Sequence, residues 1–171
     1  MCSNNKINFN SSAVPCPVPN PISIPIPSIQ GIPGPQSPPG ILGYGSLNGS
    51  SPHLVDGTDV IFDETGPVLD TRPVGDSQIQ VLTGGVYEII AHIRLNGQAG
   101  AVANFILERN GASISATSFI GAMPNSNDSS VTISVVHQIA LNANDLISIG
   151  NPFVSGLIEY TDRNLTIKRL S

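Results

Sequence analysis

Between Val86 and Leu95 apolar and polar positions alternate. Tyr87, Ile89, Ala91, Ile93 and Leu95 share one side, and Glu88, Ile90, His92 and Arg94 share the other, after a turn at Gly84-Gly85. A period of two is that of a strand, whose successive side chains point to opposite faces, so this run predicts a strand with one face buried between two sheets. Similar patterning downstream and just upstream predicts strands near Thr58–Asp63, Gln78–Thr83, Val86–Leu95, Ala101–Arg109, Ala112–Phe119, Ser130–Leu141, Asp145–Ile149 and Asn164–Leu170, with a short one around Val68–Thr71. Turn residues stand between them at Asn96-Gly97, Asn110-Gly111, Pro124–Asp128 and Asn142–Asp145, and Asn110-Gly111 between apolar flanks is a type I′ hairpin signal. Short strands at this spacing predict an all-β antiparallel jelly-roll sandwich as the head, residues 51–171.

The first fifty residues abandon the alternation of strands for one of prolines, at 15, 17, 19, 21, 25 and 27, then at 33, 35, 38 and 39. Each ring removes a backbone donor and drives the preceding residue toward extended geometry, which excludes a helix. From Pro15 to Pro27 every proline is odd-numbered, so an extended chain lacks donors on one edge and keeps the full set on the other. Such a strand can pair once. Its even face carries Val14, Cys16, Val18, Asn20, Ile22, Ile24 and Ile26, and Val14, Val18, Ile22, Ile24 and Ile26 are the candidate docking residues of an N-terminal connector arm. A solvated polyproline II spacer is the competing reading of the same residues. Glycines at 31, 34, 40 and 43 give the stretch after the arm a vestigial collagen-like period, broken at Ser37. Gly43–Pro52 reads as a flexible hinge.

Composition narrows the chemistry. Charged residues make up 11% of the chain and the net charge is −5, so there is no basic field for nucleic acid or an anionic membrane, and neither is expected as a partner. The opening Met1–Asn10 has no apolar export core, and no run is long enough to span a bilayer as a helix; the expectation is synthesis in a cytoplasm without a signal peptide. Two readings stand for Cys2 and Cys16: inert reduced thiols, or an intermolecular disulfide formed later in an oxidising setting. No Gly-x-Ser-x-Gly elbow, phosphate loop or metal-spaced cluster occurs, so no enzyme, cofactor or metal site is expected. Asp56-Gly57-Thr58-Asp59 and Asp63-Glu64 are acidic enough for a cation but read as solvated loop residues, and His92 and His137 read as packed or interfacial.

Several segments of the head, in order, resemble one family. They are Gly85-Val86-Tyr87-Glu88-Ile89, Phe105-Ile106-Leu107 leading into Asn110-Gly111-Ala112, Ile139-Ala140-Leu141 followed by Ala143–Ile149, and the ending Leu165–Ser171. Together they look like the C-terminal domain of BclA, the collagen-like glycoprotein of the Bacillus exosporium, whose head is similar to the complement and tumour-necrosis-factor jelly rolls. The resemblance covers roughly Gly57 to Ser171 and implies a trimeric jelly roll on a spore surface; some related heads bind cations. The collagen segment is far shorter than the family's, and the long proline-rich leader instead resembles, in principle, the connector of an endospore appendage (Ena) fibre. At about 3.1 Å per residue, Val14–Gly40 extends on the order of 80 Å, against about 35 Å for the height of a head of ten-residue strands.

Two functions are expected from this. In the first, the chain is a structural subunit of a spore-surface fibre, a homotrimer joined head-to-tail by its arm and rooted by an anchoring protein in the coat or exosporium. In the second, it is a terminal receptor- or glycan-binding head of an exosporium nap or phage fibre, with loops such as Gly121–Ser129 carrying the activity.

Overall fold

A computed structural model describes residues 42–126 and 129–171. The expected docking residues Val14, Val18, Ile22, Ile24 and Ile26, both cysteines and most of the collagen-like stretch lie outside them. Twelve strands and no α-helix occur among the described residues. They are β1 Tyr44–Gly49, β2 His53–Leu54, β3 Glu64–Leu69, β4 Thr71–Val74, β5 Gln78–Val81, β6 Gly85–Gly97, β7 Val102–Arg109, β8 Ala112–Ser113, β9 Phe119–Ala122, β10 Ser130–Leu141, β11 Leu146–Ser155 and β12 Ile158–Arg169. One antiparallel sheet runs β10-β6-β12-β1-β3, with β2 beside the start of β12. The other runs β4-β5-β11-β7-β8, with β9 also on β7. The all-β jelly-roll fold class read from the alternation is the one observed.

The alternating residues of β6 do what their spacing demands. Tyr87, Ile89, Ala91, Ile93 and Leu95 are fully buried and meet Ile79, Val81, Ala103, Phe105, Leu107, Ile147 and Ile149 from the second sheet, with Leu165 and Ile167 of β12 beside them. Burying one such aliphatic side chain is worth about 1.5–3 kcal/mol, which makes this interlayer space the main source of stability. Asn110 and Gly111 both have positive φ, 56° and 76°, the pair of values that a type I′ turn requires.

Three expectations are corrected. Gly43–Pro52 is not a hinge: Tyr44–Gly49 is a strand held between β12 and β3, with Leu47 in the core. Its glycines are there for space, since a Cβ on Gly45 would collide with Thr71 and one on Gly49 with Arg163. Thr58–Asp63 is not a strand: Val60 and Phe62 are buried, but their amides bond singly to Ile149 and Asp76, and no ladder forms. Ala112–Phe119 breaks into β8 and β9, because Ala116 has φ 62° and the buried Thr117 hydroxyl accepts from the Leu107 amide and donates to the Ile114 carbonyl. A side chain there replaces the strand's own ladder.

One buried charge ties the irregular 50–63 segment to β12. The Arg163 guanidinium, fully enclosed, donates to the carbonyls of Ile61, Ser51 and Thr161 and to the Asp63 carboxylate at 3.0 Å, and its carbon lies 5.1 Å from the Tyr160 ring centre. Asp63 also accepts the amides of Ser51 (2.9 Å) and Ser50 (3.0 Å). The Ser51 amide above all, then Ser50 and the Arg163 charge, hold its carboxyl well below the usual carboxylate range, against the opposing pull of partial burial. A depressed carboxyl stabilises the fold above its ordinary pKa of about 4, and the contribution disappears as pH falls below that. Asp63→Ala is therefore expected to cost about 2 kcal/mol at pH 7, and the gap to the parent should narrow steadily from pH 5 to pH 2. Urea unfolding of both proteins across that range checks it; a gap independent of pH would refute the ion pair's role.

Candidate assembly surface

Register sets the composition of the outward face of the β10-β6-β12-β1 sheet. Residues directly opposite one another form rows across it: Ala140–Val86, Gln138–Glu88–Lys168–Tyr44, Val136–Ile90–Thr166–Ser46, and Ser134–His92–Asn164–Asn48. Two apolar rows are thus separated by a charged one. Val136 is 61% exposed and Val86 38%, and Leu170, whose amide donates to the Val86 carbonyl, extends the Val86 row at 37%. The polar groups bond to one another: Asn164 donates to Asn48 at 2.6 Å and Gln138 to Glu88 at 3.5 Å within their rows, and Thr166 donates to Asn164 of the next row at 2.8 Å. An apolar stripe on the outward face of a strand, beside groups that already satisfy each other, suits contact with another protein surface better than contact with water.

The edge of the same sheet is unprotected. β10 pairs with β6 over twelve continuous positions, and among the described residues nothing pairs with its other side. Its inward residues Val131, Ile133, Val135, His137 and Ile139 are only half-buried, the four aliphatic ones packed against the rim of the core, with Ile133 close to Gly121 of β9. At one end of the strand a cleft of about 580 Å³ is lined by Ile139, His137, Ile114, Ser113, Ala112 and Arg109. Edge strands are usually blunted by proline, charge or brevity. β3 carries Pro67, β4 carries Pro73, and β8 and β9 have two and four residues. β10 has twelve residues with no proline, glycine, lysine, arginine, aspartate or glutamate.

The structure places the sequence-derived candidates as follows. His137 lines the cleft beside Ile139 and Ser113, and His92 lies in a polar row of the outward face. Asp56 bonds back to the Thr58 hydroxyl (2.6 Å) and amide (3.1 Å), and the cation beside Asp63 is Arg163 of the same chain. Among the described residues no three His, Cys, Asp or Glu side chains converge. On the opposite sheet Phe153 (54% exposed) and Ile120 (61%) flank Asn104 across neighbouring strands, and Asn104 accepts from Ser118 at 2.6 Å. The apolar rows were missed from sequence. Ile90 and Val136 each stand as an apolar intruder on the polar face of an alternating strand, which is a visible signal, but only the register brings the two opposite each other.

No family model matches the chain, and no curated protein matches its sequence. Among solved structures it is similar to Eiger TNF from S. frugiperda, with a TM-score of 0.61 and 13% identity over 75% of this chain and 92% of that one. It is also similar to murine APRIL, with a TM-score of 0.55 and 14% identity over 74% and 99%. The globular domain of zebrafish complement 1qA gives 0.54 and 16% over 72% and 94%. At such identities the likeness is one of fold, and the fold of the head is the jelly roll of the tumour-necrosis-factor and complement proteins.

Proposed function

We propose that this chain is a structural subunit of a bacterial endospore surface fibre, a homotrimer through the outward face of the β10-β6-β12-β1 sheet, with trimers joined by the N-terminal arm. The observation that carries self-association is the pair of apolar rows on that face. Three exposed or half-exposed aliphatic residues, Val86, Ile90 and Val136, lie there beside an uncovered edge strand. Covering three such side chains contributes about 1.5–3 kcal/mol each, enough to favour association once more of the face is included. The spore surface, the threefold symmetry and the anchoring partner come from the resemblance to the BclA head, and the jelly-roll fold supports that resemblance. Polymerisation rests on the arm: the described head begins with β1 at the end of the sheet that holds Gly85, and contacts that join unlike ends do not close on themselves.

A terminal binding head is the second reading, and Phe153 with Ile120 favours it, since an exposed aromatic flanked by Asn104 and Ser118 is a surface on which a sugar ring could stack.

Both parts of the proposal have direct tests. Ile90→Lys places a charge in the apolar row without touching the core, and it should convert trimers to monomers by light scattering while leaving the melting temperature of the head nearly unchanged; persistence of the trimer would remove this face from the interface. Because β1 belongs to the head, the arm must be deleted only as far as Gly40. Electron microscopy should then show filaments from the full chain and isolated three-lobed particles from the truncated one. Isolated particles from both would retire the fibre reading, and Phe153→Ala would become the variant to screen against glycans.

A further inference from the structure

We infer that the receiving site for the arm is the free edge of β10 on a neighbouring copy, entered antiparallel, so that the even-numbered arm residues from Val14 to Ile26 extend the apolar rows of the outward face. This rests on the fibre reading above and specifies the contact that reading requires.

The hydrogen-bonding direction of β10 follows from β6. The Val86 amide donates to the Ser171 carbonyl and the Leu170 amide to the Val86 carbonyl, and at the other end the Gln98 amide donates to Leu157. Even-numbered residues of β6 therefore point their backbone groups at β12, and odd-numbered ones at β10. Opposite residues in an antiparallel ladder point at each other or away together. Odd residues of β10, which oppose odd residues of β6 without a register shift, face β6. Thr132, Ser134, Val136, Gln138 and Ala140 are left with N–H and C=O directed outward from the sheet edge.

The arm is built for one such edge. Its odd positions lack donors at Pro15, Pro17, Pro19, Pro21, Pro25 and Pro27, and its even positions keep every N–H. Pro15–Pro27 and β10 are also matched in length, each about 40 Å at about 3.3 Å per residue.

Direction decides which side chains go where. The described chain starts beside Gly43, whose carbonyl accepts from Arg169 at the end of the sheet that holds Leu141 and Gly85. An arm passing from there into the next head of a head-to-tail row meets that head at its Ser130 end, and its N-terminus travels on toward Leu141. That is antiparallel to β10. In an antiparallel pair, residues that bond to each other share a face. Val14, Val18, Ile22, Ile24 and Ile26 then lie on the same face as Val136 and Ala140 of β10, in line with the rows that continue to Ile90 and Val86 on β6, while the prolines face the side of Val131, Ile133, Val135 and Ile139, the seam. Folding back onto its own head would run the arm parallel, exchange the two faces and put Val14 to Ile26 over the seam.

Cys16 is an even arm residue and serves as the probe. In full-length protein carrying Cys2→Ser, single variants Ser134→Cys, Gln138→Cys and Ala140→Cys, on the outward face, are compared with Ile133→Cys and Val135→Cys, on the seam. After mild oxidation of filaments, at least one outward variant should form a disulfide with Cys16 between chains, seen as a dimer on a non-reducing gel, and the seam variants should not. Ser134→Pro, which removes an outward donor without touching the β6 ladder, should abolish filaments and leave trimers. Crosslinks confined to the seam variants, or formed within one chain, would overturn the assignment. Filaments that form without any crosslink, and that survive Ser134→Pro, would also overturn it while leaving the fibre reading intact. Absence of filaments from the parent would instead remove the fibre reading itself.

Discussion

A residue in a strand has one freedom fewer than it seems to have. Its N–H and C=O point together at one edge, its side chain points at one face, and both reverse at the next residue. Nearly everything about this head follows from that coupling acting on β6. Because odd residues of β6 are buried, the same odd residues must bond to β10, and even residues carry both the outward side chains and the ladder to β12. The apolar rows of the outward face, the free groups of the β10 edge and the half-open seam are three consequences of one parity. A shift of one residue would exchange them all.

The coupling also explains why the charged residues sit where they do. Arg163 is set against the segment from Ser50 to Asp63, whose only ladder is the two-residue pairing of β2 with β12. Apart from β2, the stretch from Ser50 to Asp63 has irregular backbone, and the carbonyls of Ser51 and Ile61 and the amides of Ser50 and Ser51 bond to the Arg163 and Asp63 side chains. A guanidinium and a carboxylate satisfy them together, which is why both are held in place. The edges show the same economy. Proline blunts β3 and β4, brevity blunts β8 and β9, and β10 is left long and uncharged on the side where the outward face is also apolar.

What the sequence determined by itself is the set of strands with strict alternation. Ser130–Leu141 and the strand through Tyr87–Leu95 were legible because a one-sided apolar run has no other way to be buried, and Asn110-Gly111 because positive φ at two successive residues nearly names them. Tertiary structure decided the rest, for reasons that are not local. Tyr44–Gly49 is rich in glycine and reads as a hinge; it becomes a strand because β12 and β3 supply partners on both edges and the close approach of Thr71 and Arg163 leaves no room for side chains. Thr58–Asp63 has a strand's alternation and no ladder, since its apolar residues are buried by the sandwich end and not by a sheet. The partnership of Ile90 with Val136 depends on a register set by burial on the opposite face, and a register is a property of two strands, which no single stretch of sequence contains.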